Sequence, residues 1–207
     1  MGGIFFVPVA LVVSLLWSGF APPVVAVAGL TFSYGLIGWL DDWQIIRRKS
    51  NKGISPRMKL ALQIGFGGLF CLWVGLTQPA TITNLALPLG LVLPLGLAFF
   101  PVAWFALVAE SNATNLTDGL DGLAGGTVAI ALLGLGAYVA PTSPELMLFC
   151  ACLSGSCLGF LVHNRNPARV FMGDTGSLAL GGALAAVAIL TNALAVLLIL
   201  SGLFFIE

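Results

Sequence analysis

The run Asn112-Ala113-Thr114-Asn115-Leu116-Thr117-Asp118-Gly119-Leu120-Asp121-Gly122 carries two amides and two carboxylates at intervals of three. It stands in a chain that is 59% hydrophobic and only 8% charged. Apolar runs long enough to cross a bilayer lie on both sides of it. Polar side chains in such surroundings are costly unless paired, solvated or ligand-bound, so they mark a functional site by default. On an α-helix a spacing of three drifts around the cylinder. On a tighter 3₁₀ turn Asn112, Asn115, Asp118 and Asp121 would share one face. Gly119 and Gly122 favour backbone that approaches a ligand closely. The bland alternative is an interhelical loop of capping residues.

Two more polar stretches could join it. Asp41-Asp42 are expected to end a helix with its C-terminus, where the dipole disfavours carboxylates. A divalent cation, or Arg47, Arg48 and Lys49, would relieve that repulsion. The third stretch is His163-Asn164-Arg165-Asn166-Pro167-Ala168-Arg169-Val170-Phe171-Met172-Gly173-Asp174-Thr175-Gly176-Ser177. Asp174 and Thr175 could simply cap the next helix. Asp-Thr-Gly-Ser also occurs in aspartic proteases, but those need a second matching loop, and the chain has none. His163, the single histidine, reads as an interfacial residue. Asp, Asn, Lys, Arg and Gly without a Cys or His cluster favour Mg²⁺ over Zn²⁺. Such a set suits phosphate chemistry, where positioning and charge neutralisation do most of the catalysis. No G-x-x-x-x-G-K-[ST] loop is present.

The elements that must position these groups are membrane helices. A mean hydropathy of +1.07 excludes an ordinary soluble domain. Apolar runs fall at roughly 4–20, 24–40, 60–77, 92–109, 123–140 and 146–162, with two more within 178–206 broken at Thr191-Asn192. The expected fold is therefore an all-α polytopic membrane protein of about eight transmembrane helices, the last truncated. All eight Lys and Arg fall in two segments, Arg47 to Lys59 and Arg165 to Arg169. Span parity puts 41–59, 110–122 and 163–177 on one side, and the positive-inside rule makes that side cytoplasmic. Glu110 is counted with the acids of that face. Net charge is zero, with no nucleic-acid footprint. Cys71, Cys150, Cys152 and Cys157 sit in apolar runs and read as small buried hydrophobes. With no basic segment before the first run, no cleavable signal peptide is expected.

Gly38-Trp39-Leu40-Asp41-Asp42, the run from Asn112 to Ala124 and the run from Pro167 to Gly182 resemble the polyprenyl-phosphate hexose-1-phosphate transferases. Met1-Gly2-Gly3 resembles an internal motif of that family. The resemblance covers the whole chain, and three long motifs stand in the right order. It implies a bacterial inner-membrane enzyme in which undecaprenyl phosphate attacks the sugar-linked phosphorus of a UDP-sugar and UMP leaves, with Mg²⁺ on the pyrophosphate. The third run is most similar to members that take UDP-N-acetylmuramoyl-pentapeptide and make lipid I for peptidoglycan. The rival within the family is transfer of N-acetylglucosamine-1-phosphate. The rival of another class is a transporter, whose signature would be a mid-span ionisable group.

By motif matching, Asp174 is the implied metal ligand, and Asp41 and Asp42 the acidic pair that orients or deprotonates the lipid phosphate. Asn112, Asn115, Asp118 and Asp121 are the implied polar lining. Asp121 and Phe171 are the implied uridine contacts, and Asn164 holds a matching position. Lys49 and Lys59 complete the expected substrate-binding set. A phosphate monoester has its second pKa near 6, so the lipid phosphate needs little help from a base. A homodimer is an expected form. A basic residue before Met-Gly-Gly and a His-rich motif, both present in the family, are not in this chain. Residues 1–207 are therefore expected to be a single transferase domain, incomplete at both ends, without turnover of its own.

Overall fold

In the computed structural model, residues 1–49, 52–87 and 90–205 are described; Glu207, where an apolar run was expected to be cut off, lies outside them. The elements are α1 (Gly3–Trp17), α2 (Pro22–Arg48), α3 (Pro56–Thr77), β1 (Asn84–Ala86), β2 (Val92–Pro94), α4 (Phe99–Thr117), α5 (Leu123–Val139), α6 (Pro144–Asn164), α7 (Asp174–Leu190) and α8 (Leu194–Leu200). Proline opens α2, α3 and α6, where its missing N–H costs nothing. Ser55 adds a cap to α3, accepting from the Met58 N–H at 3.2 Å.

Among the described residues, four helical stretches are long and apolar enough to cross a membrane: α2, α3, α6 and Gly96–Thr117, which includes α4. The chain is thus a multi-pass membrane protein, but not one of about eight spans. α1, α5 and α7 are apolar with 15, 17 and 17 residues, and α8 has 7. Counting apolar runs overcounted for two reasons. Caps and turns take residues from each run, as at Thr191-Asn192, where Asn192 adopts φ 56 and the α-helix that follows, α8, has 7 residues. And α7 is apolar because it lies inside the bundle: 15 of its residues are buried.

α7 is the axis, packed against α2, α4 and α1. Two glycines permit the approach: a Cβ on Gly38 would meet the Asp174 carbonyl oxygen at 2.1 Å, and one on Gly181 the Glu110 carbonyl oxygen at 2.6 Å. Gly181, Gly182, Ala183 and Ala185 are all buried within the bundle. At the far end of α7, Asn192 bonds Asn84 and Ala86 of the β1–β2 hairpin, the only sheet among the described residues.

α2 continues beyond Asp41-Asp42 to Arg48 and closes at Lys49 in the left-handed conformation, φ 48. This corrects the expectation that the acidic pair ends the helix. Its 27 residues extend about 40 Å at 1.5 Å each, beyond a hydrocarbon core of about 30 Å.

Candidate active site

The N-terminus of α7 is where the three polar stretches meet. Its N-cap is Gly173, with φ 75 and no side chain to offer. A Cβ there would sit 2.6 Å from Asp42 Oδ2. Asp42 supplies the cap from α2 instead. Its carboxylate accepts from the Asp174 and Thr175 N–H groups, both at 3.2 Å, and from Thr175 Oγ1 at 2.7 Å. A carboxylate ill-placed near the C-terminus of its own helix is thus well placed at the positive end of another.

With capping done by Asp42, the Asp174 side chain is free to turn elsewhere. Asn115 Nδ2 donates to Asp174 Oδ1 at 2.8 Å and to Ser177 Oγ at 2.8 Å. Lys59 Nζ pairs with Asp174 Oδ2 and lies 3.4 Å from Asn115 Oδ1. The paired side chains keep 17% and 25% of their exposure, so a ligand can reach them. Asp41 is buried, its Oδ1 accepting from the Ile54 N–H at 3.0 Å.

Asp118 follows α4 and is half-buried. Its carboxyl is pushed up to about 7, by burial first and then by the Asp174 charge; a Gly173 backbone hydrogen bond opposes this and Asp42 adds to it. Carboxylates crowd here with Lys59 as the cation in contact, which suits a further cation. Among the described residues, no three His, Cys, Asp or Glu gather closely enough to hold a metal by themselves. Mg²⁺ is commonly held by one or two carboxylates plus substrate phosphates, so Asp174 with a bound pyrophosphate fits it.

The spacing of three behaves as an α-helix dictates, not as a 3₁₀ turn, because α4 runs through Thr117. Each step rotates the side chain by about 60°, and the partners change accordingly. Asn112 faces α3, donating to Gln63 Oε1 at 3.1 Å, and Asn115 faces α7. Asp121, beyond the helix, accepts from Asn166 Nδ2 at 3.1 Å and the Ala168 N–H at 3.0 Å. Asn164, 2% exposed, ties the loops: its Oδ1 accepts from the Gly122 N–H at 3.1 Å and its Nδ2 donates to the Val170 carbonyl at 2.9 Å. Phe171 is 65% exposed. Lys49 is exposed at the end of α2, outside the Asp174 network.

Sequence reasoning missed Gln63, Thr175 and Ser177 as site-building residues. Gln63 had a signal, being the one amide in its apolar run; its Nε2 donates to Ser111 Oγ at 2.9 Å. Glu110 was misplaced. It lies two turns inside α4 at 2% exposure, with Ser201 Oγ donating to its Oε2 at 2.9 Å.

This bundle, with a carboxylate–lysine–amide cluster at its polar end, is that of a membrane transferase family. The family model described as Glycosyl transferase family 4 matches residues 24–192, and the chain belongs to that family. Curated relatives named phospho-N-acetylmuramoyl-pentapeptide-transferase include one from Nostoc sp. (strain PCC 7120), 76% identical over 208 residues. Another from Gloeothece citriformis is 66% identical over 207 residues, and one from Acaryochloris marina 61% over 211. Each match takes in 100% of this chain but 56–57% of the relative, so the chain spans little more than half their length.

Proposed function

We propose that this chain contributes to a bacterial inner-membrane transferase that moves phospho-N-acetylmuramoyl-pentapeptide from its UDP donor to undecaprenyl phosphate, giving lipid I and UMP. The observation that carries the reading is convergence: three motifs far apart in sequence meet at Asp174, in a chain 76% identical to a relative of that name. The polar end, with its basic segments, faces the cytoplasm. In the reaction an oxygen of the lipid phosphate attacks the sugar-linked phosphorus. The new P–O bond forms as the bond to UMP breaks, and UMP departs with the electron pair. Mg²⁺, when bound, neutralises charge developing on the pyrophosphate.

Asp174 is the residue that would hold the metal. Lys59 would exchange its contact with Asp174 for the incoming phosphates, and Asn115 holds the carboxylate in place meanwhile. Asp42 acts as a positioning residue, since its oxygens are engaged at the start of α7. Asp41, held through Oδ1 by the Ile54 N–H, would orient the lipid phosphate, which is already largely dianionic at neutral pH. The Phe171 ring is exposed and available to stack on uracil. Asp121 and Asn164 set the loop that carries it, and Asn112 supports α4 through Gln63. The test is a UMP-release assay on the whole protein with undecaprenyl phosphate and Mg²⁺, comparing UDP-N-acetylmuramoyl-pentapeptide with UDP-N-acetylglucosamine. Turnover with the second donor and none with the first overturns the choice of sugar.

A further inference from the structure

The loop between α6 and α7 holds a second polar feature outside the Asp174 network. Val162, His163, Arg165, Asn166, Pro167 and Arg169 line a cavity of about 400 Å³. The Arg169 N–H bonds the His163 carbonyl at 2.8 Å and closes the loop on itself. Asp121 pins one wall through Asn166 and Ala168, and buried Asn164 anchors the base. The frame is therefore set by backbone and amide hydrogen bonds, with the arginine heads left over. Both arginines are exposed, and neither has an ion-pair or hydrogen-bond partner for its guanidinium among the described residues. Two free guanidiniums over one cavity offer planar forks of donors, the geometry that phosphate oxygens accept. The nearby carboxylate, Asp121, already has one oxygen engaged in the wall.

Position selects the source of the phosphate. α6 is one of the helices long and apolar enough to span and ends at Asn164, so the residues lining the cavity follow the end of a span. Val162 of the lining and Val170, next in sequence to Arg169, are exposed and suit contact with acyl chains. Basic pockets in that position take anionic headgroups. We propose that this pocket binds the phosphate of an anionic phospholipid headgroup and fastens the α6–α7 loop to the membrane surface. The inference does not depend on the transferase reading.

The whole protein is placed in nanodiscs of phosphatidylcholine doped with phosphatidylglycerol, and the anionic lipid it retains is counted by native mass spectrometry. Arg165→Gln/Arg169→Gln is expected to retain about tenfold less phosphatidylglycerol, with Arg47→Gln/Arg48→Gln at the unmodified level. The single variants Arg165→Gln and Arg169→Gln, each expected to fall part of the way, stand in if the double variant does not fold. Unchanged retention by the loop variants overturns the proposal, as does an equal loss in the Arg47/Arg48 control, which would mean a diffuse basic face. A third arm measures melting temperature in phosphatidylcholine alone with added inorganic phosphate. Phosphate stabilisation that needs Arg165 and Arg169, with lipid retention unchanged, would assign the pocket to soluble phosphate and overturn the headgroup.

Discussion

Two hydrogen-bond networks lie one helical turn apart between α3 and α4. One joins Gln63 to Ser111 and Asn112; the other joins Lys59 to Asn115 and, through it, to Asp174 of α7. Both use side chains of similar size on the same two helices, and both include an Asn from the same sequence motif. They differ in water and charge. Gln63 and Ser111 are buried, the network is neutral, and the Gln63 amide is engaged at both ends. Such a group is worth keeping because breaking it strands a buried partner. The Lys59–Asn115–Asp174 network is charged, reachable from outside, and crowded by Asp118 and Asp42. A folded protein gains little from that arrangement by itself, and a site for an anionic substrate gains a great deal. Residue type alone does not separate structural from functional polarity in a membrane bundle; access and uncompensated charge do.

The largest expected effect breaks the charged network alone. Asp174→Asn in the whole protein keeps a partner for Asn115 and Lys59 but removes the charge. UMP release is expected to fall by about 10²–10³-fold, the scale of losing one electrostatic contact to a reacting group. The melting temperature should hardly move. Normal turnover would reduce Asp174 to the first residue of a helix.

Phe171→Ala tests how far the functional region extends beyond that network. Loss of a base-stacking ring costs about 1–3 kcal/mol in other systems, so affinity for a UDP-sugar, read by calorimetry, should weaken by that amount. An unchanged affinity would make Phe171 a membrane-interface aromatic.

The neutral network should respond the opposite way. Gln63→Leu leaves Ser111 and Asn112 without their partner and is expected to cost about 1–2 kcal/mol of stability. Turnover per folded molecule should stay within about threefold of the original. A collapse of activity at normal stability would place Gln63 in the chemistry and erase the contrast.

Legibility from sequence followed the same division. The convergence of three polar stretches was readable because hydrophobicity is so uniform elsewhere that polar clusters stand out. Asp174, Lys59 and Asn115 do meet in space. What failed was anything that depended on where helices stop. α2 passes through Asp41-Asp42 because nothing in Trp43 to Arg48 breaks a helix, and the pair then finds its partners in Ile54 and in Asp174 and Thr175. The span count failed because burial inside a bundle and burial in lipid select the same residues, as α7 illustrates. Asn112 was grouped with Asn115 because the motif is continuous, whereas helical rotation sends the two amides to different helices.

The smallest effect separates the networks by pH. The Asp118 carboxyl is raised from its ordinary value of 3.8 to about 7 by burial and by Asp174. The folded state therefore holds this proton up to about pH 7, while the unfolded chain releases it near pH 4. Between those values the folded state binds more protons, so its stability must fall as pH rises through the window and level off above it. Solvent reaches this partly buried group, so the fall should be only about 1–2 kcal/mol, less than the full shift implies. Melting curves in detergent from pH 4.5 to 7.5 should show the decline in the unmodified protein and a flatter profile in Asp118→Asn. The stability lost in Gln63→Leu, by contrast, should be the same at every pH, because nothing in that network titrates. Mg²⁺ at pH 7.5 should recover part of the decline only where Asp174 and Asp118 are both intact. A pH profile identical in the unmodified protein and in Asp118→Asn would mean that the crowding at the start of α7 is already relieved within the chain, and that the two networks differ in exposure but not in charge.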